Sequence, residues 1–493
     1  MTHRGGTRGL ATPILQRTTF ESSRLLEFFT EKDLQMQIGH AKALWPIALL
    51  KEAIDNALDA CESASIAPEV TVAIEADAIR VRDNGPGLPR ATLERSLDYA
   101  VRVSDKAFYV SPTRGQLGNA LKCIYAAPYV LDGTEGRVEI TTGGTTYTIT
   151  VRLDRLAQRP VLELISSPDS HVKTGTEVVM RWPEVASSFA TGSLGSYTPN
   201  GTLLRFQQPE HLIQCYAAFN PHLAISYCHQ QGRAASKGRV NPTAPAWRKW
   251  QPNHPTSPHW YTPERFRALL AAYITADRHN GRSRTVREVV AEFAGLSGTA
   301  KQKAVTGSVG LTGARLEDLV VDGDLDMGKL TALLRSMQAV SRPVKPAALG
   351  VIGERHLRAH LVESWNVTEE SFRYAKQLGT TAHGLPFVVE TAFGVRQDDA
   401  PRQVLSGVNF SPLIDAETFR FVMGLLGSQR IDAHDPVVLV VHLANPRVRF
   451  SDRGKSVLAL EDEDDDDQDA EEDVALERLE NDDGSQETEE DVP

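Results

Sequence analysis

Lys51-Glu52-Ala53-Ile54-Asp55-Asn56-Ala57-Leu58-Asp59-Ala60 and, some twenty residues on, Asp83-Asn84-Gly85-Pro86-Gly87 are the stretches that decide the fold. The first is rich in Ala, Leu, Ile and Glu, holds no Gly or Pro, and predicts a helix. Residues four apart share a helix face, which groups Glu52 with Asn56 and Asp55 with Asp59. A carboxylate one turn from a carboxamide suits two tasks beside a triphosphate. The Glu can take a proton from an attacking water, and the Asn oxygen offers a hard ligand to Mg2+, which prefers oxygen and keeps several waters. Between the two stretches, Thr71 to Arg82 alternates (Val72, Ile74, then Ile79, Val81) and predicts a strand running into a turn. Gly85 and Gly87 allow backbone conformations or close approaches that other residues resist. Asp83, at the strand end, is placed to accept a hydrogen bond from an adenine amino group.

Taken singly, a Glu/Asn face is ordinary solvated helix surface and Asp-Asn-Gly-Pro-Gly an ordinary turn. Two further segments add weight. Arg114-Gly115-Gln116-Leu117-Gly118-Asn119 runs into a predicted helix, Ala120 to Ala127, and reads as a glycine-rich phosphate cradle at a helix N-terminus. Thr174-Gly175-Thr176-Glu177-Val178-Val179-Met180 reads as turn into strand, with the Thr176 hydroxyl able to bridge to Asp83. In order, Glu-x3-Asn, Asp-x-Gly-x-Gly, Gly-x2-Gly and Gly-Thr resemble the ATP-binding boxes of the gyrase, chaperone, histidine-kinase and MutL ATPase fold. No Gly-x4-Gly-Lys-Ser/Thr occurs, so a P-loop is excluded. Between the boxes, Asp98 to Arg114 is poorly periodic and is expected to act as a lid, with Ser104 and Lys106 as possible phosphate contacts.

The 493 residues suggest two to four domains with ample core. No apolar run approaches a bilayer span, and the opening residues lack a signal-peptide core. Cys61, Cys123, Cys215 and Cys228 are scattered, without a Cys-x2-Cys pair; this points to a reducing, cytoplasmic setting without disulfide framework or zinc. The net charge of -11 is concentrated at one end. Residues 461–493 hold 19 acidic and one basic residue, leaving 52 basic against 45 acidic, a net of +7, over residues 1–460. A mildly basic body with an acidic tail is compatible with a nucleic-acid binder whose tail competes for its own basic surface, and equally with a disordered solubilising tail.

Ser22 to Glu31 predicts a short helix behind an N-terminal strap. After the cradle come strands at Arg137–Thr142, Thr145–Leu153, Val161–Ser166 and Glu177–Trp182, with Gly143-Gly144 as a hairpin turn. A helix at Pro209–Phe219 and a strand at Leu223–Cys228 complete an α/β sandwich with helices on one face of a mixed sheet. Helices at Pro263–Ala276 and Val286–Ala294, N-capped by Thr262 and Thr285, open a helical stretch that continues at Leu316–Val320 and Lys329–Val340. Strands return at Gly384–Gly394, Val404–Asn409 and Val437–Leu443, with a helix at Ala416–Leu426 between them.

Over residues 20–460 the chain resembles the B subunits of type IIB DNA topoisomerases. The matches include the boxes above, Asn220-Pro221-His222, Leu349-Gly350-Val351-Ile352-Gly353-Glu354, Pro386-Phe387-Val388-Val389-Glu390 and Val448-Arg449-Phe450-Ser451-Asp452-Arg453-Gly454-Lys455. The resemblance implies an α+β chain in four parts. These are a strap and Bergerat-type ATPase sandwich over 1–255, a helix-two-turns-helix-like domain over 256–345, an α/β transducer over 346–460 and a disordered acidic tail over 461–493. It implies Glu52 as general base and Asn56 as Mg2+ ligand. Asp83 would read adenine with Thr176, Gly115 and Gly118 would line the phosphates, and Lys455 would reach from the transducer to the γ-phosphate, where charge accumulates. Gly85, Gly87, Lys106, Gln116, Leu117 and Asn119 complete the expected ATP site. Family members continue past the transducer into a helical stem that docks the DNA-cleaving A subunit; here the acidic run begins at Glu461, a departure that puts docking in that way in doubt while an A-like subunit stays the expected partner. The expected activity is an ATP-gated homodimer clamp on DNA that passes strands with a cleaving A-like partner, with no membrane role. The competing expectation is a clamp without strand passage, as in repair or mobile-element defence.

Overall fold

In the computed structural model the described residues are 28–99, 108–114, 120–154, 156, 159–169, 171–190, 208–231, 233–398, 400, 402–414, 430–431 and 434–448. Helix α1 (Glu31–Ile38) starts at Thr30, whose hydroxyl oxygen accepts from Asp33 N, and ends at Gly39 with φ +77°. Most of the helix expected at 22–31 (residues 22–27) lies outside the described residues, and α1 shares only Glu31 with it. Helix α2 (Trp45–Ser63) is buried almost all round and forms the spine of the first unit.

The stretch expected as one strand from 71 to 82 is a hairpin of β1 (Glu69–Ile74) and β2 (Ala78–Asp83), paired Val72 to Val81 and Ile74 to Ile79. The reason lies in the parity: Val72 and Ile74 are even, Ile79 and Val81 odd, and only a turn at 75–77 returns both pairs to one face. Helices α3 (Arg90–Ser96) and α4 (Ala120–Asp132) follow, then β3 (Gly136–Thr142), β4 (Thr145–Asp154), β5 (Arg159–Pro168), β6 (Thr176–Arg181), α5 (Val185–Ala190), α6 (Pro209–Phe219), β7 (Ala224–Gln231) and β8 (Ala234–Val240). The sheet runs β5-β4-β3-β6-β2-β1-β7-β8, antiparallel except where β1 meets β7. Val70, Val72, Ile79, Val81, Val138, Ile140, Ile149 and Met180 pack on Leu50, Ile54 and Leu58 of α2, Ile124 of α4, and Leu212 and Tyr216 of α6. The mixed sheet with helices on one face is as expected. β8 escapes a sequence reading because Ala234-Ala235-Ser236-Lys237-Gly238 has no apolar alternation.

Next come α7 (Pro263–His279), α8 (Val286–Ala291), α9 (Thr299–Ser308), a two-residue ladder β9 (Val320–Val321) with β10 (Asp324–Leu325), and α10 (Met327–Val340). Thr262 and Thr285 cap as expected, Thr285 in a capping box with Glu288. Helix α11 (Glu354–Trp365) leads to β11 (Arg373–Thr380), β12 (Pro386–Val395), β13 (Gln403–Val408), β14 (Ser411–Pro412) and β15 (Val437–Ala444), ordered β11-β12-β15-β13-β14. β15, nearly continuous Val and Leu, is central: parallel to β13 and antiparallel to β12. Parallel pairing demands a long crossover; the helix expected at 416–426 lies outside the described residues. So do the strap before residue 28, the lid residues 100–107 and the acidic tail.

Helix α6 joins the two halves. Leu212, Ile213 and Tyr216 belong to the first core, while Cys215, Ala218 and Phe219 belong to a second core shared by the middle helices and the second sheet (Trp260, Phe266, Phe293, Met337, Leu361, Val440). No helix among the described residues is long and apolar enough to cross a membrane.

Candidate functional site

Asp83 closes β2 and is 7% exposed. Its Oδ1 accepts from the backbone N–H of Gly85 (2.7 Å) and of Thr176 (3.1 Å). Both donors use the same oxygen, and among the described residues none donates to Oδ2. Burial pushes the carboxyl above its ordinary value, and the two amides pull it back. Thr176 thus engages Asp83 through its amide rather than through the hydroxyl expected from the sequence. Asn84 fixes the turn from the side: its Oδ1 accepts from Glu69 N (2.9 Å) and its Nδ2 donates to Ala67 O (3.0 Å).

The glycines are required by contact. A Cβ on Gly175, which has φ +79°, would lie 2.0 Å from the Asp83 carbonyl oxygen, so the 173–175 turn crosses the end of β2 backbone on backbone. Gly87, at φ +88°, would place a Cβ 2.7 Å from the Thr142 hydroxyl, which accepts from Leu88 N (3.0 Å). A Cβ on Gly85 would meet Cys61 Sγ at 3.3 Å and Ala60 Cβ at 3.5 Å. Ala60 stands one turn beyond Asn56 and two beyond Glu52, and all three are half-buried. The Glu52–Asn56–Ala60 strip therefore ends against the Asp83 turn, with Glu52 about 12 Å further along the helix axis. Glu52 also faces α4: burial raises the Cys123 thiol first, and the Glu52 carboxylate adds to the rise.

Beside that strip, Lys51, Asp55, Asp59 and Glu62 form a buried charged row that holds Arg114, the residue preceding Gly115. The guanidinium takes both oxygens of Glu62 at 2.7 and 2.8 Å and Asp59 at 2.7 Å. Burial opposes its charge, but Glu62, Asp59 and Asp55 more than restore it. Glu62 is itself held well below the carboxylate range: burial works against this, and Arg114 and Lys249 outweigh it.

Of the residues expected in the site, Glu52, Asn56, Asp83, Gly85, Gly87 and Thr176 lie on α2, the β2 turn and the start of β6, neighbouring elements of one sheet face. Lys106, Gly115, Gln116, Leu117, Gly118, Asn119 and Lys455 lie outside the described residues. Sequence reasoning missed Thr142, Cys61 and the charged row. Asp55, Asp59 and Glu62 are legible as helix residues, but nothing in the sequence near them names Arg114, Lys249 or Ser411 as partners. Among the described residues no group of three or more His, Cys, Asp or Glu side chains could hold a metal.

Residues 42–155 match the family described as histidine kinase-, DNA gyrase B-, and HSP90-like ATPase. The chain is 24% identical over 468 residues to the B subunit of type 2 DNA topoisomerase 6 from Archaeoglobus fulgidus, covering 88% of this chain and 69% of that protein. It is 24% identical to the protein of the same name from Methanococcoides burtonii, covering 91% and 71%. The 43K ATPase domain of Thermus thermophilus gyrase B in complex with an aminocoumarin aligns over 87% of this chain and 82% of that one, at 12% identity and a TM-score of 0.32, too loose to carry an argument. The resemblance carried by the motifs therefore holds: along most of its length this chain is similar to the B subunits of type 2 DNA topoisomerase 6, and it carries a stretch like the histidine kinase, gyrase B and HSP90 ATPases at residues 42–155.

Proposed function

We propose that this chain is the ATP-binding and ATP-hydrolysing B subunit of a type IIB topoisomerase-like complex, acting as an ATP-gated dimer clamp on DNA. The observation that carries the reading is the Asp83 turn, with one carboxylate oxygen committed to two amides and the other available, set at the end of the Glu52–Asn56–Ala60 strip. The adenine amino group donates to Asp83 Oδ2. The triphosphate runs along α2 toward Glu52, over a distance comparable to an extended nucleotide. Glu52 takes the proton of the attacking water. Asn56 would offer its side-chain oxygen to a Mg2+ ion, a metal that prefers oxygen ligands, and the ion when bound would neutralise phosphate charge. Gly115 to Asn119 cradle the phosphates, Lys106 comes from the lid, and Lys455 approaches the γ-phosphate from a transducer at 346–460. The middle domain spans 256–345.

A DNA-cleaving A-like protein is the proposed partner, supported by the names of the similar proteins. The test has two stages. The purified chain should bind a non-hydrolysable ATP analogue with magnesium, and Glu52→Gln should keep that binding while kcat falls by roughly 10²–10⁴, the usual share of a general base. Reconstituted with the cleaving partner, the pair should relax supercoiled DNA, and Glu52→Ala should abolish this. ATP turnover without any change in linking number would favour a clamp that holds DNA or protein without strand passage.

A further inference from the structure

Lys51, Asp55, Asp59 and Glu62, spaced along one strip of α2, are each at most 5% exposed. Three cations meet the three carboxylates: Lys51 on Asp55 at 2.8 Å, Arg114 on Asp59 and Glu62, and Lys249 on Glu62 at 2.8 Å. His222 Nε2 adds a contact to Glu62 at 3.1 Å, and burial lowers its affinity for a proton, so it counts as neutral. The row is balanced. Balanced buried charge is a weak source of stability, because well-packed apolar residues often do as well. What it supplies here is geometry.

Arg114 is the last residue before Gly115, so the row fastens the entrance of the glycine-rich segment to the helix that carries Glu52 and Asn56. The second sheet holds the same row from its other side. Ser411 Oγ donates to Asp55 Oδ2 at 2.8 Å. Asn220 accepts from Arg114 Nη2 at 2.6 Å and donates to Phe410 O at 2.9 Å. Asn409 Nδ2 reaches Thr113 O at 3.5 Å, and Lys249 Nζ stands 5.4 Å over the Phe410 ring. These links together tie residues 409–411 and 249 to the residues just ahead of Gly115.

We propose that Lys249 and Ser411 are positioning residues for ATP hydrolysis, holding Arg114 and the phosphate-segment entrance in register with Glu52 through Glu62 and Asp55. The inference rests on the ATPase reading above and deepens it: the second sheet governs the reacting geometry from behind α2, through groups that never touch nucleotide. A misplacement of about 1 Å in such a support costs on the order of 10²-fold in rate, while binding spread over the whole nucleotide is little changed.

The experiment compares full-length wild type with Lys249→Met, Ser411→Ala and Ser411→Thr, below their melting temperatures. Positioning is expected to appear as a kcat at least five-fold lower in Lys249→Met and Ser411→Ala. The Kd for a non-hydrolysable ATP analogue with magnesium should stay within two-fold of wild type. Ser411→Thr, which keeps the hydroxyl, should recover kcat to within two-fold. Wild-type kcat in both variants, with only a lowered melting temperature, would overturn the proposal. Amide exchange at residues 108–114 of the nucleotide-free protein gives a second readout. It should accelerate at least five-fold in both variants while β3 and β4 exchange as in wild type, and unchanged exchange would overturn the anchor. If wild type itself turns over no ATP, the ATPase reading falls. Faster exchange would then leave the anchor standing and overturn only its link to hydrolysis.

Discussion

Asp83 shows how little of a candidate binding residue resides in its side chain alone. Its carboxylate is oriented by the amides of Gly85 and Thr176, and Thr176 can approach only because Gly175 has no Cβ to strike the Asp83 carbonyl. Asp83→Asn would keep an oxygen for the two amides but turn an NH2 group toward the purine amino group, donor against donor. The expected outcome is a loss of about 1.5–3 kcal/mol, on the order of 10- to 100-fold in Kd for an ATP analogue measured by calorimetry. Gly175→Ala meets both a positive φ and a backbone clash. It should cost about 1–3 kcal/mol in stability by denaturant unfolding and should weaken nucleotide binding as well, because relief of the clash moves the Thr176 amide. Both Gly175 and Thr176 were legible as a box in the sequence. Which Thr176 atom bonds Asp83 was not, since that depends on how closely two distant turns approach.

At the scale of elements, α2 and α6 each serve two neighbours at once. On α2 a half-buried strip (Glu52, Asn56, Ala60) runs beside a buried charged row, so a single 3.6-residue period carries the candidate site and its support. On α6 adjoining faces enter separate cores, and carbonyls in its C-terminal half accept from two histidines of α11. His356 Nε2 reaches the carbonyls of Ala217 and Ala218, and His360 Nε2 reaches that of Gln214, all at 3.0 Å. Facing carbonyls, these nitrogens must donate. Burial depresses His356 to about 4 and His360 to about 3. Since both folded values lie below the unfolded one, the unfolded chain binds more protons in acid. Stability is therefore full above about pH 6.5 and is lost as pH falls toward 4, by about 1.4 kcal/mol per pH unit for each histidine. Denaturant midpoints across that range should show the fall, and His360→Gln, which keeps an N–H donor without the titration, should flatten its share. Helix α11 and its histidines went unread in the sequence, because a His four residues from another on a helix has no distinctive signature until the partner carbonyls are known.

For the whole molecule, charge distribution is the property that sequence reports directly. A body of net +7 beside an acidic segment predicts self-competition for a polyanion. Removal of residues 461–493 should therefore tighten binding to duplex DNA, measured by fluorescence anisotropy, with the gain shrinking as salt rises. Equal affinity with and without the segment would assign it to solubility instead. The two sheets are not independent on this scale: the second core runs from α6 through the middle helices to β12 and β15, so movement of the second sheet is felt at α6 and, through Asn220 and Ser411, at α2.

Local periodicity and motif order, which depend only on neighbours in the chain, were enough to determine strands β3 to β7 of the first sheet, the helix bearing Glu52 and Asn56, the Thr caps and the similarity to topoisomerase B subunits. Tertiary structure alone decided the identity of the atom that bonds Asp83 and the Arg114 network. The network joins residues up to 356 positions apart, and a buried charge selects its partner by distance in space, which no spacing along the chain encodes.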